Sequence, residues 1–203
     1  VPVIIVPSDT LWEALTMNAE AEKGAFEDYE FDADAVIAYR ERMAKKLVKD
    51  GKKILMTRRA ERTEDMTVKE STKGEANDDL ITYWNCETGK THPVILAKIP
   101  VKHPWEIFTY LPFGGWNDCP DTAAHTAVAK YWYETDRAVP AVLTYDTLEY
   151  RVPAPVAPEH AAARAVEQYA YCSDIIEQGT PGMSVSQLAD GLRKSHIWYF
   201  WWD

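Results

Sequence analysis

The segment of residues 114–120, with the sequence GGWNDCP, has the residue types that catalysis requires. Two glycines let the backbone approach a ligand, and a helix that begins just after them offers free N–H groups and a partial positive charge. A thiol in that position, Cys119, can have a lowered pKa and act as a nucleophile. Asn117 or Asp118 would then orient the substrate of a hydrolysis or acyl-transfer reaction, with backbone N–H groups as the oxyanion hole.

The same segment also fits a structural role. The glycines would form a tight turn, Asp118 would cap the helix, Pro120 would occupy its first turn, and Cys119 would be a small buried group. We favour this interpretation, because helix caps of this kind are routine. If the segment instead binds a ligand, the residues that would contact it are Gly114, Gly115, Trp116, Asn117, Asp118 and Cys119.

Histidines that could serve as a base are scattered along the chain. A helix through both Cys119 and His125 would separate them by about 9 Å of rise and roughly 240° of rotation, so we expect no direct contact. Asp121 and His125 would share one helix face as a surface pair, and two ligands do not make a metal site. A cysteine enzyme would therefore need a distant base such as His103 or His196.

Carboxylates suited to acid–base chemistry are Asp118, Asp146, Glu149, Asp174 and Asp203. Asp146 follows a strand predicted at residues 141–145, and ligands bind at strand ends in open α/β sheets. The simpler interpretation of Asp146 is a turn residue between two strands, and we favour it.

Charge restricts the partners that the chain can bind. The formal net charge is −10, which disfavours nucleic acids because phosphate contacts need clustered Lys and Arg. The basic residues within 40–73 are interleaved with acids and are typical of a solvated helix face and a loop. Acidity of this size keeps soluble proteins apart, and it also suits docking on a basic partner protein.

Cysteine number and hydropathy indicate the cellular compartment. The three cysteines, Cys86, Cys119 and Cys172, are widely spaced, so neither a disulfide framework nor a zinc site is predicted. No cofactor fingerprint is present, and we expect no cofactor. No stretch approaches the roughly 20 apolar residues that span a bilayer. The first residues lack the basic flank of a signal peptide, so we predict a cytoplasmic protein without membrane association.

Periodicity predicts alternating helices and strands, and therefore an α/β fold, α+β in detail, with helices packed on a mixed β-sheet. The predicted helices lie near residues 11–15, 36–49, 121–134, 158–171 and 184–194, and the predicted strands near 1–6, 52–57, 80–84, 94–99, 141–145, 148–152 and 196–202. The last strand has large apolar residues on both faces, which predicts a central position in the sheet. We expect an N-terminal α/β part (1–90) and a C-terminal α/β domain (91–203), or one continuous domain.

Four ordered segments resemble a known bacterial family. They are GGWNDCP (114–120), YDTLE (145–149), EQYAYCSD (167–174) and WYFWWD (198–203). Together they are similar to the Domain of unknown function family DUF4253 over roughly the C-terminal half, whereas the first ninety or so residues carry no motif that matches. The resemblance implies a bacterial origin and implies no activity.

The absence of a catalytic motif, together with the acidity and the aromatic residues, favours a binding or interaction protein. Its most concrete form is an immunity- or inhibitor-like protein that docks on a basic partner. The alternative is a cysteine-dependent hydrolase or acyl transferase that uses Cys119 at a helix N-terminus.

Overall fold

A computed structural model of the chain describes residues 1–20, 33–62, 66–69, 72–85, 87–179 and 183–203. The strands are β1 (Pro2–Ile5), β2 (Trp84–Asn85), β3 (Lys90–Thr91), β4 (Ile95–Lys98), β5 (Val139–Leu143), β6 (Thr147–Arg151) and β7 (Ile197–Trp201). The helices are α1 (Asp9–Glu20), α2 (Ala33–Lys45), α3 (Gly51–Glu61), α4 (Thr122–Asp136), α5 (Pro158–Tyr171), α6 (Asp174–Glu177) and α7 (Val185–Leu192), with a 3₁₀ helix at Pro104–Thr109. In the described ranges no helix has the length and apolarity that crossing a membrane requires.

Five strands form one mixed sheet in the order β4-β1-β5-β6-β7, which confirms the predicted fold class. Strand β1 runs antiparallel to β4 and parallel to β5, and β5, β6 and β7 follow one another as antiparallel neighbours. The division at residue 90 stays a prediction. The sheet contains strands from both sides of residue 90. Strand β1 lies between β4 and β5, which both come after residue 90 in the sequence.

The expected central position of the last strand is wrong, because β7 lies at one edge of the sheet. One face of β7 is buried under α4 and α5. On that face Phe200 stacks on Trp132 with ring centroids 5.4 Å apart and meets Tyr171 edge-on at 4.9 Å. Helices therefore bury the large apolar residues on this face of β7, although β7 is an edge strand.

The start of β7 is covered on its outer edge by residues 74–82, which we call the covering segment. The backbone N–H groups of His196 and Ile197 donate to the carbonyl of Asn77 at 3.1 and 2.9 Å. Farther along the segment, the Ile81 N–H donates to the buried carboxylate of Glu149 at 3.0 Å, on the other face of the sheet. A loop thus supplies the burial that the sequence suggested would come from a neighbouring strand.

The predicted strand at residues 52–57 is wrong, since these residues lie in α3. Asp50 caps this helix by accepting a hydrogen bond from the Lys53 N–H at 3.1 Å. Gly51 begins α3 instead of ending the helix before it. A Cβ added at Gly51 would lie 2.2 Å from the carbonyl oxygen of Ala127, so the glycine lets α3 pack closely against α4.

Candidate functional site

Residues 114–120 form a loop around His125, which we call the GGW loop. Cys119 Sγ lies 3.4 Å from His125 Nε2, and His125 Nδ1 is hydrogen-bonded to the Tyr171 hydroxyl. The expectation that the thiol and the imidazole would not meet is wrong. Helix α4 begins only at Thr122, so Cys119 precedes the helix and the helical spacing does not apply to the pair.

The cap of α4 is Asp121 and not Asp118, because the Asp121 carboxylate accepts the Ala124 N–H at 2.6 Å. The expected surface pair of Asp121 with His125 is also wrong. The imidazole is fully buried and contacts the rings of Phe113 and Trp202, with centroids 5.0 and 5.4 Å away.

Gly114 brings the GGW loop directly against this imidazole. Its φ angle is +88°, a value that favours glycine, and an added Cβ would lie 1.9 Å from the Pro120 carbonyl oxygen and 2.5 Å from His125 Nε2. Gly115 has a φ of +92°, and its N–H donates to the Pro120 carbonyl at 3.0 Å, which closes the loop.

The electrostatics of the Cys119–His125 contact favour two neutral groups. Burial raises the pKa of the Cys119 thiol, and the neighbouring Cys172 adds to the effect. Burial also lowers the pKa of His125 to about 3, with the positive charge of Arg58 as the second cause. Because a nucleophilic cysteine must be a thiolate and accessible, the burial of Cys119 works against catalysis.

Asp118 and Asn117 tether the GGW loop to other elements. Arg58 of α3 donates to the Asp118 carbonyl at 2.6 Å and pairs with its carboxylate at 3.0 Å, and Arg62 pairs with the same carboxylate. Asn117 donates from Nδ2 to the carbonyl of Asp203 at 2.6 Å. Both side chains thus fix the loop between α3 and the last residues of the chain.

The two histidines expected as distant bases contact other groups. His103 stacks on Trp105 with ring centroids 4.4 Å apart, and His196 pairs with Asp78 at 2.8 Å. Cys86 lies outside the described residues. Within the described ranges, no three His, Cys, Asp or Glu side chains converge to hold a metal ion.

A pocket of about 500 Å³ opens on the GGW loop, a volume within the range of small-ligand sites. Its lining comes from α1, the GGW loop, the β5–β6 turn and the end of β7. Four of the lining residues are aromatic: Trp116, Tyr145, Trp201 and Trp202. The others that are uncharged are Thr10, Ala14, Met17, Asn18, Gly114 and Gly115. Asn117, Asp118 and Cys119 do not line it, so the pocket uses only part of the loop that the sequence highlighted.

Every charged side chain among the described residues of the pocket wall is acidic: Glu13, Asp146 and Asp203. The Asp146 carboxylate is held in place by three neutral donors. It accepts hydrogen bonds from Thr144 Oγ1 at 2.7 Å, Thr147 Oγ1 at 3.0 Å and Trp201 Nε1 at 3.0 Å. Asp146 therefore both shapes the turn and faces a pocket, two roles that the sequence offered as alternatives.

The negative charge of the pocket wall affects the pKa of a neighbouring phenol, the side chain of Tyr145. The pKa of Tyr145 is raised, first by the charge of Asp146 and to a smaller extent by that of Asp203. Glu149 and Asp174 do not line the pocket and hold backbone groups instead. Glu149 anchors the covering segment, and Asp174 accepts the Asp203 N–H at 3.0 Å.

The contribution of α1 to the pocket could not be predicted, since Glu13, Ala14, Met17 and Asn18 form no motif. The tryptophans at positions 201 and 202 were a usable signal. A chain segment with so many large rings can supply ligand-facing aromatic residues as well as core residues.

Comparison with known proteins identifies the family of the chain. The family model of the Domain of unknown function (DUF4253) matches residues 95–203, which include the GGW loop, the β5–β6 turn and β7. No curated protein and no solved structure matches the chain. Because the matched residues make up more than half of its length, the chain belongs to the DUF4253 family.

Proposed function

We propose that this protein is a binding protein and not an enzyme, and that its pocket receives part of a basic partner protein. The observation that supports this is the wall of the pocket, where the described charged residues Glu13, Asp146 and Asp203 are all acidic. An immunity- or inhibitor-like protein, which neutralises a basic protein by docking on it, would need such a wall.

The chemistry of the wall suits protein recognition. Buried aromatic residues contribute much of the affinity at interfaces, and Trp116, Tyr145 and Trp201 are available in the pocket. The net charge of −10 would attract a basic partner over a distance and raise its association rate. The hydrogen bonds of Asp146 hold its carboxylate in one orientation before a partner binds, so binding costs less conformational entropy.

A cysteine-dependent hydrolase or acyl transferase is the alternative proposal, and the 3.4 Å contact of Cys119 with His125 is the observation that favours it. The buried, neutral state of both groups weighs against this function. The accessibility of the Cys119 thiol decides between the two proposals.

Binding in the pocket can be tested by filling it. The variant Ala14→Trp places a large ring in the wall, and Ala163→Trp makes the same change at an exposed position of α5 as a control. Immobilised protein would be exposed to a lysate of the source cells, and captured proteins identified. We expect a basic protein to be retained by the natural chain and by Ala163→Trp but lost from Ala14→Trp. Capture of the same proteins by all three would contradict the proposal.

A further inference from the structure

We infer that the pocket selects an organic cation. The cation is an ammonium or guanidinium group, supplied either by a side chain of a partner or by a free amine. This assignment names the ligand class of the binding function proposed above and rests on it.

The aromatic wall is the first argument. Cations bind over the faces of Trp and Tyr rings, and several rings around one cavity form a site for alkylated ammonium groups. Trp116, Tyr145 and Trp201 line the pocket from three different segments of the chain. The Trp201 indole is fixed in orientation, because its Nε1–H donates to Asp146.

Among the described residues, the carboxylates of the pocket wall have no basic partner, whereas several other carboxylates of this protein do. Asp118 pairs with two arginines, Asp136 pairs with Arg164, and Asp190 pairs with Lys194. In the part of the chain that the structure describes, no ion pair includes Glu13, Asp146 or Asp203. The negative charge of the pocket is thus left for a ligand to neutralise.

Trp202 is the most deeply buried aromatic residue of the wall. It lines the pocket, is only 1% exposed, and its Nε1 has no hydrogen-bond partner among the described residues. Trp132 and Trp198 share this feature, but they lie in the core and do not line the pocket. The Nε1 atom itself has almost no accessible surface, so Trp202 offers a ligand no hydrogen-bond donor and adds only to the aromatic lining.

The wall is also held rigidly enough to select a ligand. Asn117 ties the GGW loop to Asp203, and the Asp203 N–H is held by Asp174 at 3.0 Å. Arg58 fixes the opposite side of the loop through the Asp118 carbonyl. Such preorganisation lowers the entropy that binding must overcome.

Calorimetric titration of the full chain with four probes tests the inference. Choline carries a cation and a hydroxyl group, tetramethylammonium carries the cation alone, and 3,3-dimethylbutan-1-ol is the neutral analogue of choline. The peptide Gly-Lys-Gly represents a partner's side chain. We expect choline or the peptide to bind, and the neutral alcohol to bind at least about tenfold more weakly. Tetramethylammonium, which carries the same charge, should bind with an affinity similar to that of choline.

Charge-neutralising variants locate the site. Glu13→Gln should weaken cation binding about two- to fivefold, and Asp146→Asn about tenfold. Glu159→Gln, an exposed position on α5 outside the pocket, should leave affinity unchanged. Because Asp146 also holds a turn, the Asp146→Asn result counts only if its near-ultraviolet circular dichroism matches that of the natural chain. Glu13→Gln alters an exposed residue of α1 and serves as the second variant.

The outcomes separate this inference from the proposed function. Equal binding of choline and the neutral alcohol overturns the cation assignment and leaves a pocket-binding protein. Failure of every probe, with partner capture still lost in Ala14→Trp, overturns the cation assignment alone. Binding of choline without the peptide supports the cation assignment and contradicts a basic protein as partner.

Discussion

Cys119 Sγ and His125 Nε2 are 3.4 Å apart in a place where both groups are buried, so the contact joins a thiol to a neutral imidazole. The same pair of residue types in a cysteine enzyme must form a thiolate beside an imidazolium. Burial acts against this form on both partners, because it raises the pKa of Cys119 and lowers that of His125.

Alkylation measures whether the Cys119 thiol is available. We expect iodoacetamide to leave Cys119 unmodified in the native protein from pH 6 to 8 and to modify it after denaturation, as read by peptide mass spectrometry. Cys172, which is also buried, is the internal control. Rapid modification of native Cys119 alone below neutral pH would favour the hydrolase or acyl transferase over the binding protein.

The GGW loop should not tolerate a side chain at position 114. We expect Gly114→Ala to lower the free energy of unfolding by about 3 kcal/mol or more, because backbone strain adds to a clash with the Pro120 carbonyl. Gly89→Ala is the matched control, since Gly89 also has a positive φ of +65° but has no atom within 4 Å of an added Cβ. That variant should lose about 1 kcal/mol. Similar losses for the two variants in urea unfolding would contradict the close packing at Gly114.

His125 should make stability depend on pH. Its pKa of about 3 in the folded chain lies below the ordinary value of 6.5, so the unfolded state takes up the proton first as pH falls. The free energy of unfolding should then decrease by about 1.4 kcal/mol per pH unit between pH 6.5 and 3 from this group. His125→Gln should be less stable at pH 7 and show a shallower slope, whereas His160→Gln, at an exposed position, should keep the natural slope. Identical slopes for the natural chain and His125→Gln would refute the neutral, buried histidine.

Arg58 should stabilise the GGW loop through its backbone contacts. Arg58→Met removes donors to the carbonyls of Asp118 and Ala170, and we expect a loss of about 1–3 kcal/mol in the free energy of unfolding. Arg59→Met, at an exposed position on the same helix, should change stability by no more than about 0.5 kcal/mol. Equal effects of the two substitutions in thermal and urea unfolding would show that the contacts of Arg58 contribute no stability.

Strong local signals in the sequence predicted elements well. The helices predicted at 121–134 and 158–171 are observed at Thr122–Asp136 and Pro158–Tyr171. Pro158 in the first turn marked the start of α5, whereas the cap of α4 is Asp121 and not the predicted Asp118. The apolar run at 54–56 gave no such information, since a short run cannot distinguish a strand from a buried helix segment. The helical conformation of residues 54–56 depends on the Asp50 cap and on the packing of α3 against α4.

Features that depend on distant contacts could not be predicted. Apolar residues on both faces of β7 showed burial correctly, but they could not show that a loop, and not a strand, covers its edge. The Cys119–His125 contact depends on where α4 begins, a boundary that sequence patterns place only within a few residues. The α1 wall of the pocket has no local signal, because its role comes only from the packing of α1 beside the GGW loop and the end of β7.

The two edges of the sheet differ in how open they are to a strand from another molecule. The Asn77 carbonyl accepts the N–H groups of His196 and Ile197, so the start of β7 is already paired on its outer side. At the other end of the sheet, β4 has no strand on its outer side among the described residues, and its Leu96 and Ile95 are 74% and 51% exposed. Any extension of this sheet by a strand from another molecule, whether in an assembly or in aggregation, would therefore begin at β4.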